Sequence, residues 1–204
     1  MLTRVSNIEA YRQWMNWAPL HEDDVEPTVE DFIRFITTDE PSEKMRVGTA
    51  FHAAIEAAQD GNHDTFSAHG YTFLLPDAEI VLPAIREQRV AKDYGALKVT
   101  GKADCVEGKI VYDHKTTSKV DLDRYMDGYQ WRYYLDLFEA DVFQWNVFQI
   151  YEAKREGENV YRVAEPQVLR AYRYPELQQD CVRLAEEFLE FATRMNLPDA
   201  RLED

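Results

Sequence analysis

The sequence predicts an α/β fold, a mixed central β-sheet with helices on its faces in three layers. Three observations carry this. Leu97-Lys98-Val99-Thr100 alternates apolar with polar, Ile110-Val111-Tyr112 does so in part, and a Gly-containing turn lies between them, as in a β-hairpin. Helical periodicity stands on either side of it. Val47, Phe51, Ile55 and Ala58 mark one apolar face, and Leu177, Cys181, Leu184, Phe188, Phe191 and Met195 mark another. A strongly β-forming run, Val142 to Tyr151, follows the intervening helical stretch.

The chain has 204 residues, which fits a single domain. It divides into an N-terminal helical addition (1–40), a core (42–140) and C-terminal strands with a helix (141–204). No run of about 18 apolar residues is present, so no membrane span is expected. The first residues lack the apolar core of a signal peptide. Cys105 and Cys181 read as buried free thiols of a reducing, cytoplasmic compartment. The formal net charge of −15 opposes tight, non-specific binding to nucleic acid. A cleft loaded with cations that grips a strand end is compatible with it.

In order, Asn7 to Trp17 reads as an amphipathic helix with Asn7 as its cap, and Thr28-Val29-Glu30-Asp31 as the start of a second. The pair fits a flap over a cleft or, more simply, core packing. Pro41-Ser42 opens a helix to about Gln59, along which Gly48, His52 and Glu56 lie four residues apart on one line. A short strand is expected at Tyr71 to Leu75, a helical stretch at Ala78 to Glu87, and a strand at Glu87 to Lys92. Asp121 is read as the cap of one long helix to about Glu139, weakened at Gly128. Val160 to Ala164 should pair with the Val142 to Tyr151 strand, and Val168 to Tyr172 adds another strand. Pro175 starts the last helix.

The hairpin holds the chemistry. With Glu107-Gly108 as its two-residue loop, Val106 pairs with Lys109, Cys105 with Ile110 and Asp104 with Val111. Asp104, Val111, Asp113 and Lys115 then share one face, with the two aspartates as diagonal neighbours. Two carboxylates so placed can converge on a hard cation such as Mg²⁺. Lys115, one pleat on, could hold or deprotonate a water there. Lys102 falls opposite Asp113, where it could neutralise the carboxylates structurally.

Gly101-Lys102-Ala103-Asp104 followed by Asp113-His114-Lys115 resembles the signature of the PD-(D/E)XK nuclease superfamily. Gly48 to Glu56 is similar to the G-x-x-x-H-x-x-x-E helix of its RecB-type exonuclease branch, and Gln130 to Tyr134 to that branch's Q-x-x-x-Y helix. The branch includes phage exonucleases, Cas4-like proteins and the mitochondrial genome maintenance exonuclease. The resemblance spans about Gly48 to Tyr134. It implies a restriction-endonuclease-like core and a metal-dependent DNA exonuclease of phage or bacterial recombination, repair or replication.

The same resemblance implies roles for residues. His52, Asp104, Asp113 and the backbone carbonyl of His114 would bind Mg²⁺ or Mn²⁺, with Lys115 catalytic beside Asp104 and Asp113. Gln130 and Tyr134 would support the site and contact DNA, at linear or single-stranded ends. By their own chemistry Arg132 offers a phosphate fork and Trp131 or Tyr133 could stack a base, with core packing the alternative for both aromatics and the better reading of one. Glu56 and Glu87 are further acidic candidates; by itself, Glu87 reads as a solvated surface residue. The chain departs from the family in its acidity and in lacking cysteines for the iron–sulfur cluster of many Cas4 proteins. The acidity favours a second reading. In it, the chain is a nuclease-fold binding module that partners a phage recombinase or a single-strand-binding protein.

Overall fold

A computed structural model describes residues 1–19, 23–38, 41–58, 64–76 and 85–200, with the backbone alone at 85 and 86. The strands are β1 (Leu2–Arg4), β2 (Thr65–Ala68), β3 (Tyr71–Leu74), β4 (Ile85–Tyr94), β5 (Leu97–Glu107), β6 (Ile110–Thr117), β7 (Val142–Glu152), β8 (Val160–Val163) and β9 (Gln167–Tyr172). The helices are α1 (Val5–Met15), α2 (Val29–Thr37), α3 (Glu43–Ala57), α4 (Asp123–Asp127), α5 (Gln130–Leu137) and α6 (Leu177–Arg194). The helical stretch expected at Ala78 to Glu87 lies outside the described residues up to 84, and from Ile85 the chain is strand.

The sheet is mixed, in the order β1-β5-β6-β7-β8-β3-β2, with β4 beside β5 and β9 beside β7. Two apolar clusters cover its two faces. Along β7, Phe143, Trp145 and Val147 belong to the cluster with α1, α5 and α6. Phe148 belongs to the other, with Val47, Ala50, Phe51 and Ile55 of α3. Strand residues of odd and even number point to opposite faces. The fold is therefore α/β, a mixed sheet with helices on either side, as the element order predicts. Among the described residues no helix is long and apolar enough to cross a membrane. Cys105 and Cys181 are buried and form no disulfide.

The aromatic residues of the N-terminal helices pack inward. Trp14 stacks on Phe32 at 5.0 Å, and Tyr11 meets Phe188 and Phe191 of α6. Thr28 and Asp31 form a reciprocal capping box on α2. Helix α1 starts two residues earlier than expected, and Asn7 is a buried residue inside it rather than its cap. The long helix expected from Asp121 is broken at Gly128. The Glu9 carboxylate of α1 accepts the Tyr129 N–H at 2.6 Å, and a Cβ on Gly128 would stand 3.4 Å from Glu9 Oε1. A contact from the far end of the chain thus sets where α5 begins.

The hairpin turn is Gly108-Lys109, not Glu107-Gly108, with Gly108 at φ +57°. Positive φ at the first central position suits glycine. Glu107 pairs with Ile110, Val106 with Val111 and Cys105 with Tyr112. Each residue on β5 meets a partner two further along β6 than expected. A shift of two preserves the alternation of faces, so Asp113 and Lys115 stay on the side of Val111, while Asp104 lies beyond the last β5–β6 pair.

Candidate active site

β4 runs along one edge of β5 from Leu97 to Val106. β1 and β6 must therefore share the other edge, β1 at Lys98–Thr100 and β6 at Cys105–Glu107. Past the Cys105–Tyr112 pair the register of β5 with β6 ends. There the Asp104 carboxylate, rather than the backbone, meets β6, and its Oδ2 accepts the His114 N–H at 2.6 Å.

This parting of the strands lets groups from both faces reach one point. Val111 packs with the α5 cluster, so Asp113 and Lys115 project to that side by alternation. His52 comes from α3 on the opposite side, with Nδ1 3.2 Å from Asp104 Oδ1. Lys115 Nζ lies 2.9 Å from Asp113 Oδ1. The His114 ring turns toward α3, where it meets Phe148 and lies 3.7 Å from Cys105 Sγ and 3.3 Å from Asn146 Nδ2. Asn146, the β7 neighbour of His114, carries no sequence signal for this role and was not among the expected residues.

Burial and charge shape the protonation states. Burial pushes the Asp104 carboxyl up, but His52, Lys115 and His114 outweigh it and hold it at about 2. Asp113 is raised, by burial first and by the charge of Asp104, against the pull of Lys115. Burial pulls Lys115 down, yet Asp113 and Asp104 keep its value above the ordinary one. Burial likewise pulls His52 down, and Asp104 reverses this by charge and hydrogen bond. His114 is lowered to about 4, chiefly by burial.

Among the described residues, no three His, Cys, Asp or Glu side chains form a ready metal cage. The acids are held instead by side chains of the protein, Asp104 by the His52 imidazole and Asp113 by the Lys115 ammonium. One atom is left over: Asp113 Oδ2 is buried and has no hydrogen-bond partner. A buried carboxylate oxygen without a donor is costly. With the second acid beside it, the donor set fits a hard divalent cation.

The other expected residues fall in three groups. Gln130 and Tyr134 lie on α5 with Tyr134 turned to the site. Its hydroxyl, raised in pKa by burial and by the charges of Asp113 and Asp104, donates to the Lys102 carbonyl at 2.8 Å. Glu87 is not a solvated surface residue. It sits at φ +55° between the pairs Arg86–Cys105 and Gln88–Ala103, hence abreast of Asp104, and its mostly buried carboxylate pairs with Lys102. Lys102 therefore answers Glu87 rather than Asp113. Glu56 is exposed one turn past His52.

Arg132 is not brought to the carboxylates. Its guanidinium donates to the Tyr174 hydroxyl and the Gly128 carbonyl and stacks on Tyr129 and Trp131. Trp131 and Tyr133 are both buried core residues, bonded to the Met126 and Cys181 carbonyls, so neither offers a face to a base. At about 100° per residue Trp131 and Tyr133 fall on the two flanks of the Gln130–Tyr134 line, where α5 packs into the core.

No family model matches the chain, and no curated protein matches it. Among solved structures it is similar to the crystal structure of SSO0001, with a TM-score of 0.50 and 16% identity over 98% of this chain and 79% of that one. It is also similar to the crystal structure of a phage related exonuclease from Haemophilus somnus 129PT, with a TM-score of 0.48 and 13% identity over 96% of each chain. At such identities the likeness concerns the fold alone.

Proposed function

We propose that the chain is a divalent-metal-dependent nuclease that hydrolyses DNA phosphodiester bonds, acting as an exonuclease. The observation that carries this is Asp113 Oδ2, a buried acceptor with no donor, beside Asp104 and the Lys115 ammonium. His52, Asp104, Asp113 and the His114 carbonyl would hold one or two Mg²⁺ or Mn²⁺ ions. When bound, such ions acidify water and neutralise charge on the scissile phosphate. Lys115 orients the attacking water and counters charge on the phosphate oxygens. The Asp113 carboxylate fixes that ammonium in place, and the His114 N–H fixes Asp104. Tyr134 steadies the strand that carries Asp104, and Gln130, one turn before it and hydrogen-bonded to its side chain, would meet the DNA backbone. The net charge of −15 makes a loaded metal site a condition for approaching phosphates.

The test is digestion of 5′- and 3′-labelled linear DNA and of circular DNA with Mg²⁺ or Mn²⁺. Linear DNA should be degraded and circular DNA spared. If neither ion supports release from any substrate, the enzyme reading is wrong. The binding-module reading, favoured by the acidity, then takes its place.

A further inference from the structure

A groove of 490 Å³ opens beside the carboxylates, walled by the start of α3, the end of β6, α4 and the strands β7 and β8. Three elements lead into it from that site. On α3, Val47 lines it little more than one turn before His52. On β6, Thr116 lines it directly after Lys115. On α4, Tyr125 lies near enough to Lys115 to act on its charge, and Arg124 beside it lines the groove.

The wall offers two kinds of surface. The Thr116 and Ser118 hydroxyls make no hydrogen bond among the described residues. Lys44 and Arg124 are exposed and form no ion pair among the described residues. Lys44 stands in the first turn of α3, where the helix dipole disfavours a cation. Helix stability therefore does not account for it. Val47, Ile150 and Tyr161 make the remainder apolar, and Tyr161 is backed by Phe73. Two acids also line the groove, but both are answered. Glu43 is engaged by Arg46 and by the Tyr71 hydroxyl, and Glu152 lies 3.5 Å from Lys154 Nζ.

A nucleotide complements both surfaces, with a phosphate for the cations and hydroxyls and a base for the aromatic and apolar wall. The width selects one strand. A space of 490 Å³ is about 8 Å across, while the major groove alone of a duplex is about 12 Å wide. Charge selects the same way. A single strand brings about one charge per 3.4 Å toward this acidic chain, and a duplex about one per 1.7 Å.

We infer that the groove seats an unpaired DNA strand next to the scissile phosphate, which makes single-stranded ends the substrate. Lys44 and Arg124 hold its phosphates with the Thr116 and Ser118 hydroxyls, and Tyr161 stacks a base. The place of the scissile bond rests on the nuclease reading of the carboxylate site.

The experiment compares a single-stranded oligonucleotide with the blunt duplex of the same sequence, using the full chain. With Mn²⁺, the single strand should be digested about tenfold faster or more. Arg124→Gln and Lys44→Gln should each raise its KM by about tenfold, the effect of losing a charged contact, with kcat within about twofold. Tyr161→Leu should raise KM by about fivefold. Arg194→Gln, on α6 and outside the groove, should change neither constant. Binding is read separately by fluorescence anisotropy with Ca²⁺. There each lost cation should flatten the log–log salt dependence by about 0.7. Digestion of the blunt duplex at an equal rate, with KM unchanged in both cation variants, overturns the groove and leaves the nuclease reading standing. Binding of the single strand that weakens in both cation variants, without cleavage of any substrate, upholds the groove and overturns the nuclease reading. Neither binding nor cleavage overturns both.

Discussion

The Tyr134 hydroxyl donates to the Lys102 carbonyl at 2.8 Å, and so ties helix α5 to β5 two residues before Asp104. The buried hydroxyl is spent inside the protein, so its part is to position Asp104's strand. Tyr134→Phe should cost about 0.5–1.5 kcal/mol in urea unfolding, the usual worth of one hydrogen bond. DNA affinity should stay unchanged while turnover falls. A large rise in KM with unchanged kcat would show direct contact with the substrate instead.

Gly101 and Gly48 both belong to motifs, yet they should respond oppositely to a methyl group. A Cβ on Gly101 would lie 2.9 Å from Leu137 Cδ1, 3.3 Å from Val5 Cγ2 and 3.5 Å from Tyr134 Cζ. Gly101→Ala should destabilise by about 1–3 kcal/mol through overpacking. A Cβ on Gly48 meets only Thr116 Oγ1, at 3.4 Å, an ordinary contact. Gly48→Ala in mid-helix should be neutral or stabilising by up to about 1 kcal/mol. Chemical denaturation of the two variants measures both effects.

Asp113→Asn and Lys115→Met should each lower metal-dependent DNA cleavage by about 10²-fold or more. Their circular dichroism spectra should remain those of the folded protein. Mn²⁺ titration by calorimetry should show weaker binding in Asp113→Asn, and little change in Lys115→Met. Full cleavage by either variant would remove these side chains from the chemistry.

His114 and His52 should titrate on opposite sides of the ordinary imidazole value of 6.5 in the metal-free protein. Folded His114 stays neutral down to about 4, while in the unfolded chain it takes a proton near 6.5. The unfolded state binds more protons in that window, so this residue makes stability fall as pH drops from about 6.5 to about 4. His52 acts in reverse. Its raised folded value gives stabilisation that is complete below about 6.5 and is lost as pH rises through that value. Imidazole NMR titration reads both. Protonation of folded His114 near 6.5 would contradict its burial.

The sequence shows that Asp113 and Lys115 share the face of Val111, because faces repeat every two residues and survive a shift of two in register. It does not show that β5 and β6 part at Asp104, since that depends on β1 and β4 taking places along β5. His52 is legible only through a motif, as no local pattern says which strand a helix will meet. Glu87 looks like a surface residue until β4 sets it abreast of Asp104. Of the two readings open to Trp131 and Tyr133, core packing is the one found for both, because a helix face is chosen by what packs on it, here Tyr174, Trp145 and Tyr94. The break at Gly128 comes from Glu9, and no window around either residue reveals the other.

That last contact bears on how the molecule assembles. The Glu9 carboxylate reaches the Tyr129 N–H across 120 residues, and β1 aligns in parallel with Lys98 to Thr100. Neither can form until much of the chain has left the ribosome. The first helix must wait undocked, its aromatic stripe in water, for the α6 residues Phe188 and Phe191 to arrive. Such long-range closure slows folding, and truncations that remove the last helix should leave the first exposed and prone to aggregate.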